Sequence, residues 1–333
     1  MVERLFELVV IIKWAVSRTE ACVCDSTALL TQLAGQFGLA HDKLVLIALK
    51  RFLSRILSTG EHLNWAKDSL KRVQFCALVR EAGRAVDGFL ESVLQIVEPT
   101  LETGRDYATR FDSLELLFHL APCLPDPGPL SQKYLDLCLA GMKWRAGRTN
   151  ESIRRTACLC LSKALAEHKL LHQCLLDSSK TLLASLKGCV EDDRSPQLRV
   201  CALQLLKLYF SVLKDQVSTE AIFDLYPLVL SRLDDPEDEV RVFAVDVFAR
   251  IAVCKSFSFS ESTVKYILAR FLLHMDDANR VLRERISMLL RLLAREKGWA
   301  QVSVQARKSL DKRGTQIQHL HLFEELASIE SSN

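Results

Sequence analysis

The sequence predicts an all-α solenoid, a fold in which about eight helix pairs are stacked side by side. Two observations support this prediction: residues that interrupt helices are scarce, and an arginine recurs at a nearly constant spacing within one amphipathic pattern. Only 12 glycines and 8 prolines occur among the 333 residues, which favours long helices with short connections. The arginine recurs every 42 to 45 residues, a period typical of stacked helical repeats.

Four helical segments align on this arginine, which follows an apolar residue in each case. The four residues are Arg154, Arg199, Arg241 and Arg283. Counted from the apolar residue before each arginine, positions 4, 7, 8 and 11 are apolar in all four segments. These positions trace one face of an α-helix. Each segment is therefore predicted to be the second helix of a pair, and its apolar face is buried when neighbouring pairs stack.

Aspartates recur six residues before three of these arginines. They are Asp193, Asp235 and Asp277, each preceded by another aspartate. An aspartate at this point can cap the second helix by accepting bonds from its free N–H groups. The arginine can reach the aspartate of its own repeat or of a neighbouring repeat. We therefore predict a structural ladder of charged residues: Asp193, Arg199, Asp235, Arg241, Asp277, Arg283 and Arg154.

The other helix pairs follow when the chain is read outward from these repeats. The predicted pairs are 2–17 with 25–37, 41–57 with 62–82, 86–98 with 106–121, 130–143 with 150–167, three clear repeats from about 170 to 296, and 299–312 with 316–329. This organisation predicts divergent helix pairs over 1–129, clear repeats over 130–297, and capping helices with a polar tail over 298–333. Four prolines between 121 and 132 cannot be helical. They mark a hinge or a long loop, and the immediate return of the helical pattern favours the loop.

Composition argues against several functional classes. The 44 basic and 41 acidic residues nearly balance, which gives no strong reason to expect a nucleic-acid or membrane partner. The apolar stretch 5–16 contains Glu7 and Lys13 and is too short for a bilayer-spanning helix, so we predict a core-facing helix there. The 11 cysteines lie mostly in apolar helical runs, and an odd number without a secretory leader fits a reducing compartment.

No catalytic motif is present. The sequence lacks the phosphate-binding, dinucleotide-binding, nucleophile-elbow and zinc-protease patterns. The best metal candidate is His168 with His172 and the nearby Cys174, four residues apart on a predicted helix, but it lacks a partnered glutamate and a distant third ligand. The aspartate pairs recur three times, whereas a catalytic site is needed once. We therefore predict no enzyme activity, no metal and no cofactor.

A basic stretch from Arg280 to Arg313 contains ten Lys or Arg residues against three Asp or Glu residues. Three interpretations stay open: a solvated surface, a docking face for an acidic protein, or a nucleic-acid contact. Trp299 is the one aromatic residue there that could stack on a base. The candidate partner-binding residues are Arg280, Arg283, Arg291, Arg295 and Lys297.

Several segments resemble a known family. The acidic turn and Val-Arg pair of 233–251 resemble a HEAT motif, so the helix pairs are predicted to be of HEAT type. The segments 142–165, 226–241 and 272–284 together resemble the C-terminal repeats of the HEAT-repeat dynein axonemal assembly factor family, and the block Trp144–Thr149 is the most specific.

This resemblance implies a cytoplasmic, non-catalytic scaffold that helps to preassemble the dynein arms of motile cilia. Its implied partners are dynein chains, chaperone machinery and other assembly factors. Members of the family are larger, so the abrupt start of this sequence suggests a shortened form or a fragment. The alternatives are a generic HEAT adaptor, such as a transport or phosphatase scaffold, and a HEAT-like nucleic-acid-binding protein.

Overall fold

The computed structural model describes residues 2–16, 20–125, 128–254, 259–296, 299–313 and 317–329. Every regular element within those ranges is helical, and the predicted all-α solenoid of stacked helix pairs is confirmed. The helices of the described residues, in chain order, are α1 (Val2–Ile11), α2 (Glu20–Gln36), α3 (His41–Thr59), α4 (Leu70–Ala82), α5 (Leu90–Val97), α6 (Tyr107–Leu120), α7 (Pro129–Met142), α8 (Arg148–Ala166), α9 (His172–Asp177), α10 (Ser179–Val190), α11 (Pro196–Leu213), α12 (Thr219–Ser231), α13 (Asp238–Ala252), α14 (Glu261–His274), α15 (Arg280–Glu296), α16 (Gln301–Arg313) and α17 (Leu320–Ala327).

The chain divides into two compact units, Met1–Ser185 and Leu186–Asn333. The division falls within α10. It does not coincide with the predicted boundaries at 129/130 and 297/298, which stay predictions. The proline-rich segment 121–132 lies inside the first unit. The prediction that its prolines are not helical is wrong at both ends, because Pro122 lies in the 3₁₀ turn Ala121–Cys123 and Pro129 begins α7, where its missing N–H is not needed. Residues 126 and 127 lie outside the described part.

In the first unit, helices stack in two rows. Helices α4, α6 and α8 form the row of second helices, and α3, α5 and α7 form the row of first helices. The pair α1–α2 is stacked in the opposite sense, because α1 packs on α4 and α2 packs on α3. The apolar stripes of α1 and α2 can be buried whether each helix packs on α3 or on α4, so the sequence pattern did not reveal this inversion.

A close helix approach fixes the position of α7 in this unit. A Cβ atom at Gly141 would lie 3.0 Å from the Cβ of Ala157 on α8 and 3.1 Å from Cδ2 of Leu114 on α6. Glycine therefore allows three helices to meet at this point. Beside it, the buried Tyr134 donates its hydroxyl hydrogen bond to the carbonyl of Leu117 at 2.9 Å, which satisfies the polar group inside an apolar core.

In the second unit, α11, α13, α15 and α17 form the row of second helices. Among the first helices, α14 packs on α16, and α12 packs on α13 as the first helix of its pair. The two rows pack through apolar side chains such as Phe248 and Phe271, whose ring centroids are 4.9 Å apart. All twenty apolar positions that were predicted to line the buried faces of α8, α11, α13 and α15 are at most 2% exposed. The predicted helix faces are therefore confirmed.

Three local predictions are wrong. The helix predicted over 62–82 begins only at Leu70, because Gly60 ends α3 in a left-handed conformation and Glu61–Asn64 form a separate 3₁₀ turn. The helix predicted over 86–98 begins at Leu90, after a 3₁₀ segment at Gly83–Phe89. The short helix α9 was not predicted.

The apolar residues and cysteines are used in packing. Nine cysteines of the described part are buried, and burial raises the pKa of Cys76 to about 12, so this thiol stays protonated. Among the described helices, none has the length and apolar character needed to cross a bilayer.

Candidate functional site

An arginine in the first turn of the second helix joins consecutive repeats of the second unit. Arg199 donates from Nη1 to the backbone carbonyl of Asp192 at 2.8 Å and from Nη2 to the carboxylate of Asp235 at 2.8 Å. Arg241 repeats the arrangement, with the carbonyl of Asp235 at 2.8 Å and the carboxylate of Asp277 at 3.3 Å. Each arginine thus holds the loop before its own helix and the loop of the following repeat.

The C-terminal end of this ladder is different. Arg283 donates from Nη1 to the carbonyls of Asp277 and Ala278, at 2.6 and 2.9 Å. The next connection is made by Asp276, whose carboxylate accepts the backbone N–H groups of Gln318 and His319 at 2.9 and 3.1 Å. A carboxylate–backbone contact therefore links α14–α15 to the last helix pair.

The aspartates fold the loop ahead of the helix and do not cap the helix itself. Asp277 accepts a hydrogen bond from the N–H of Asn279 at 2.8 Å. The side chain of Asn279 then accepts the N–H of Leu282 at 3.0 Å, so Asn279 is the N-cap of α15. In the first of the three loops this role belongs to Asp192, which accepts the N–H of Ser195 at 2.9 Å, whereas the predicted Asp193 is exposed. This loop has one more residue before its arginine, which shifts the aspartate that makes the turn.

The first unit contains the same device, including two arginines that sequence reasoning missed. Arg154 donates to the carbonyl of Arg145 at 2.6 Å. Arg72 donates to the carbonyl of Lys67 at 2.8 Å and forms an ion pair with Asp112 in the following repeat. Arg110 occupies the equivalent place on α6. Ion pairing to the next repeat is therefore not confined to the repeats with aspartate pairs.

A signal for Arg72 was present in the sequence. Positions 4, 7, 8 and 11 after the residue before it are Phe75, Leu78, Val79 and Ala82, which match the apolar face of the other repeats. The preceding residue is Lys71, however, and the alignment required an apolar residue there. A search anchored on the arginine alone would have found it.

Burial makes the Arg199–Asp235 pair energetically important. The two side chains are only 4% and 1% exposed, and the guanidinium of Arg232 lies 3.6 Å from the same carboxylate. Charges removed from water are costly unless both partners are present. Loss of the Asp235 charge would therefore leave two guanidinium groups without their common anion.

Among the described residues, Arg110 has no carboxylate partner of this kind. Its Nη1 donates to the amide oxygen of Asn150 at 3.2 Å, and its side chain is buried. Burial, with a smaller contribution from the charge of Arg145, lowers the pKa of Arg110. An uncharged acceptor thus stands where Arg72, Arg199 and Arg241 contact a carboxylate.

A second set of charge contacts runs across the row of second helices. Lys207 on α11 lies 2.6 Å from Asp246 on α13, and Arg80 on α4 lies 3.1 Å from Glu115 on α6. The two contacts are equivalent in the repeat. In each, the cation lies eight positions after the ladder arginine of its own helix, and the carboxylate lies five positions after the ladder arginine of the following repeat. Arg285 on α15 adds a further contact to Asp246, at 3.2 Å.

The predicted basic residues do not share one surface. Arg283 belongs to the ladder, whereas Arg280 bonds to Glu284 on its own helix at 2.7 Å, and this hydrogen bond raises the pKa of Arg280. Arg291 forms an ion pair with Glu325 on α17. Arg295 is exposed. Lys297 lies outside the described residues.

The histidine pair predicted as the best metal candidate is not arranged on one helix. His168 follows α8 in a left-handed conformation, with φ of 54°, and His172 begins α9. Cys174 is buried. Among the described residues, no group of three or more metal-ligating side chains is close enough to hold an ion.

The block 144–149 forms an exposed corner between α7 and α8. Trp144 is 69% exposed, and Arg145 fixes the corner by donating to the carbonyl of Thr103 at 2.8 Å. Gly147 has φ of 104°, a conformation that favours glycine. A cleft of about 440 Å³ beside this corner is lined by Glu98, Leu101, Glu102, Thr103, Gly104, Asp136, Leu137, Ala140 and Lys143.

Comparison with known proteins agrees with the resemblance found in the sequence. The chain is 25% identical to dynein axonemal assembly factor 5 of Homo sapiens over 245 residues, and 27% identical to that of Xenopus laevis over 275 residues. These alignments cover 70% and 78% of the chain but only 28% and 32% of the relatives, so the chain spans less than a third of their length. Residues 182–324 match the model of the family described as PIK3R4-like, middle domain.

Solved structures with similar folds are also helical solenoids. The karyopherin Kap121p bound to the extreme C-terminus of the protein phosphatase Cdc14p is similar over 98% of this chain and 36% of its own, with a TM-score of 0.62 and 12% identity. Kap121p by itself is similar over 98% of this chain and 35% of its own, with a TM-score of 0.60 and 11% identity. At these identities the likeness indicates the fold and no shared function.

Proposed function

We propose that this chain is a non-catalytic scaffold that acts in the cytoplasm during preassembly of axonemal dynein arms, and so supports the assembly of motile cilia. The observation that carries the proposal is the similarity to dynein axonemal assembly factor 5 over 70–78% of the chain. The fold is compatible with it, because stacked helix pairs offer long surfaces for protein partners. The proposed partners are dynein chains, chaperone machinery and other assembly factors.

The proposal is tested by affinity purification of the tagged chain from cells that are building motile cilia. We expect dynein heavy or intermediate chains among the recovered proteins, and fewer dynein arms in cilia when the chain is depleted. An unciliated cell line that expresses the same tagged chain is the matched control for nonspecific recovery. Recovery of transport receptors alone, with dynein arms unchanged after depletion, would contradict the proposal.

A generic adaptor is the second candidate, and the match of residues 182–324 to a different helical family model favours it. An adaptor of this kind would be expressed equally in ciliated and unciliated cells. Measurement of the protein in both cell types before and after ciliogenesis separates the two candidates, because a dynein-assembly scaffold should rise when cilia form.

A further inference from the structure

The row of second helices in the second unit presents an exposed surface on which basic and apolar side chains alternate. We call it the basic–apolar face; it consists of Arg250, Val253, Arg285, Met288, Leu292 and Arg295. Met288 is 66% exposed and Val253 is 48% exposed. Met288 lies on α15 and Val253 directly follows the last residue of α13, and the side chains of both residues are directed away from the buried core.

Helix geometry brings these residues together. Arg285, Met288, Leu292 and Arg295 are spaced by three or four residues along α15, so they form a single stripe. The contact of Arg285 with Asp246, at 3.2 Å, sets the register between α15 and α13. Because these helices run in the same direction, one helix pair apart, that register places Leu292 opposite Val253. The apolar residues of the two helices thus form one patch.

The charge of this patch is positive. Asp246 and Glu284 are carboxylates at its edge, but Asp246 already contacts Lys207 and Arg285 and its side chain is only 10% exposed, and Glu284 is paired with Arg280. Arg250 and Arg295 are exposed and have no carboxylate partner among the residues that the structure describes. These two guanidinium groups therefore remain available to a binding partner.

We infer that the basic–apolar face binds an acidic amphipathic segment of a protein partner, with the partner's carboxylates on Arg250 and Arg295 and its apolar side chains on Met288, Leu292 and Val253. Exposed methionine adapts to differently shaped apolar side chains, and arginine is enriched at energetically important interface positions. The apolar side chains between the guanidinium groups favour a protein segment, because a nucleic-acid backbone offers phosphates to arginine but no apolar side chains to methionine and leucine. The inference rests on the proposed role as a protein-binding scaffold and names the chemistry of the partner.

The test uses the full chain and fluorescence anisotropy with a labelled peptide built from glutamate, leucine and alanine, with leucines at helical spacing. We expect saturable binding that weakens as salt is added, and loss of binding when the glutamates of the peptide are replaced by glutamine. The variant R250E/R295E should bind about tenfold more weakly or worse, because reversed charges repel the peptide. Met288→Ala should weaken binding by about threefold to tenfold through lost apolar contact. Lys308→Glu, an exposed charge reversal on α16, is the matched control and should bind as the unaltered chain does.

Three outcomes would overturn the inference: no binding at low salt, equal binding by R250E/R295E and Lys308→Glu, or displacement of the peptide by duplex DNA at lower concentration than by unlabelled peptide. Circular dichroism spectra of all variants exclude misfolding as the cause of lost binding, since the altered residues are exposed. Failure of the inference is distinguishable from failure of the proposed function. A chain that binds no acidic peptide yet still recovers dynein chains from ciliated cells would refute this face and leave the scaffold role standing.

Discussion

Substitution of Asp235 by alanine should be among the most destabilising single changes at an inter-repeat loop. Its carboxylate accepts hydrogen bonds from Arg199 at 2.8 Å and from the N–H of Glu237 at 3.1 Å, and it faces Arg232 at 3.6 Å. Breaking a buried ion pair by removing one partner costs about 3–5 kcal/mol, and the lost backbone hydrogen bond adds about 1 kcal/mol. We expect the free energy of unfolding to fall by about 4–6 kcal/mol, which is a large part of the usual 5–15 kcal/mol of a folded domain.

The assay is urea unfolding of the full chain followed by far-ultraviolet circular dichroism, together with hydrogen exchange of the amides in α11 and α13. Exchange is informative here because adjacent repeats can open locally before the whole array unfolds. Asp193→Ala is the matched control: it removes an exposed aspartate from the preceding loop and should change stability by less than about 0.5 kcal/mol.

A further variant separates the charge from the turn. Asp235→Asn keeps an oxygen that can accept the N–H of Glu237 but removes the negative charge between Arg199 and Arg232. If the ion pair dominates, this variant should be nearly as unstable as Asp235→Ala. A loss no greater than that of Asp193→Ala would refute the reasoning, since the carboxylate would then act only as a neutral hydrogen-bond acceptor.

Three more predictions follow from the described contacts. Asn150→Asp gives the buried Arg110 a charged acceptor but removes the exposed hydrogen bond from Asn150 Nδ2 to the carbonyl of Ala146. Because the charged acceptor of the buried guanidinium outweighs the exposed bond, the free energy of unfolding should rise by less than about 1 kcal/mol at neutral pH; unchanged or lower stability in urea would contradict this. Gly141→Ala should lower the midpoint of urea unfolding, because the added methyl group meets side chains 3.0–3.2 Å away and overpacking costs about 1–3 kcal/mol. The control Gly188→Ala has nothing within 4 Å of the added methyl group and should raise the free energy of unfolding by about 0.5–1 kcal/mol through helix propensity. Equal effects of the two variants would show that the close helix approach at Gly141 is unimportant. Burial lowers the pKa of His274, so the folded state binds a proton at this imidazole less readily than the unfolded state does. The free energy of unfolding should therefore fall as pH drops through the ordinary histidine pKa of about 6.5. The variant His274→Gln should have a flatter profile of stability against pH between about pH 7.5 and 5.5, and a profile identical to that of the unaltered chain would contradict the lowered pKa of His274.

The fold was predictable because the apolar stripes repeat. Residues such as Leu198, Ala202 and Leu205 can lie on one buried face only if the chain is helical, and all of them are fully buried. The inverted stacking of α1 and α2 was not predictable in the same way, because which neighbour covers a stripe depends on the connection between helices and not on the stripe itself.

The ladder was predictable in kind but not in detail. The sequence pattern allowed Arg199 to reach its own loop or the next one, and the planar guanidinium does both at once because its nitrogen atoms point in different directions. The shift from Asp193 to Asp192 depends on one additional loop residue, whose effect a fixed period conceals. The sequence did not show which charges of the basic stretch are neutralised, because the carboxylate that pairs with Arg291 belongs to Glu325 on another helix.

The two-sided use of each ladder arginine has a consequence for how such a chain can lengthen during evolution. Each ion pair of the ladder needs an arginine in one repeat and an aspartate in the following repeat, at fixed positions within each repeat. Tandem duplication of one whole 42-residue segment, such as 235–276, therefore supplies both the arginine and the aspartate of a new ion pair and leaves the existing ion pairs complete. Insertion of a partial segment would leave a buried guanidinium without its anion, at a cost of about 3–5 kcal/mol. Selection for folding alone would then favour growth of the gene by complete periods.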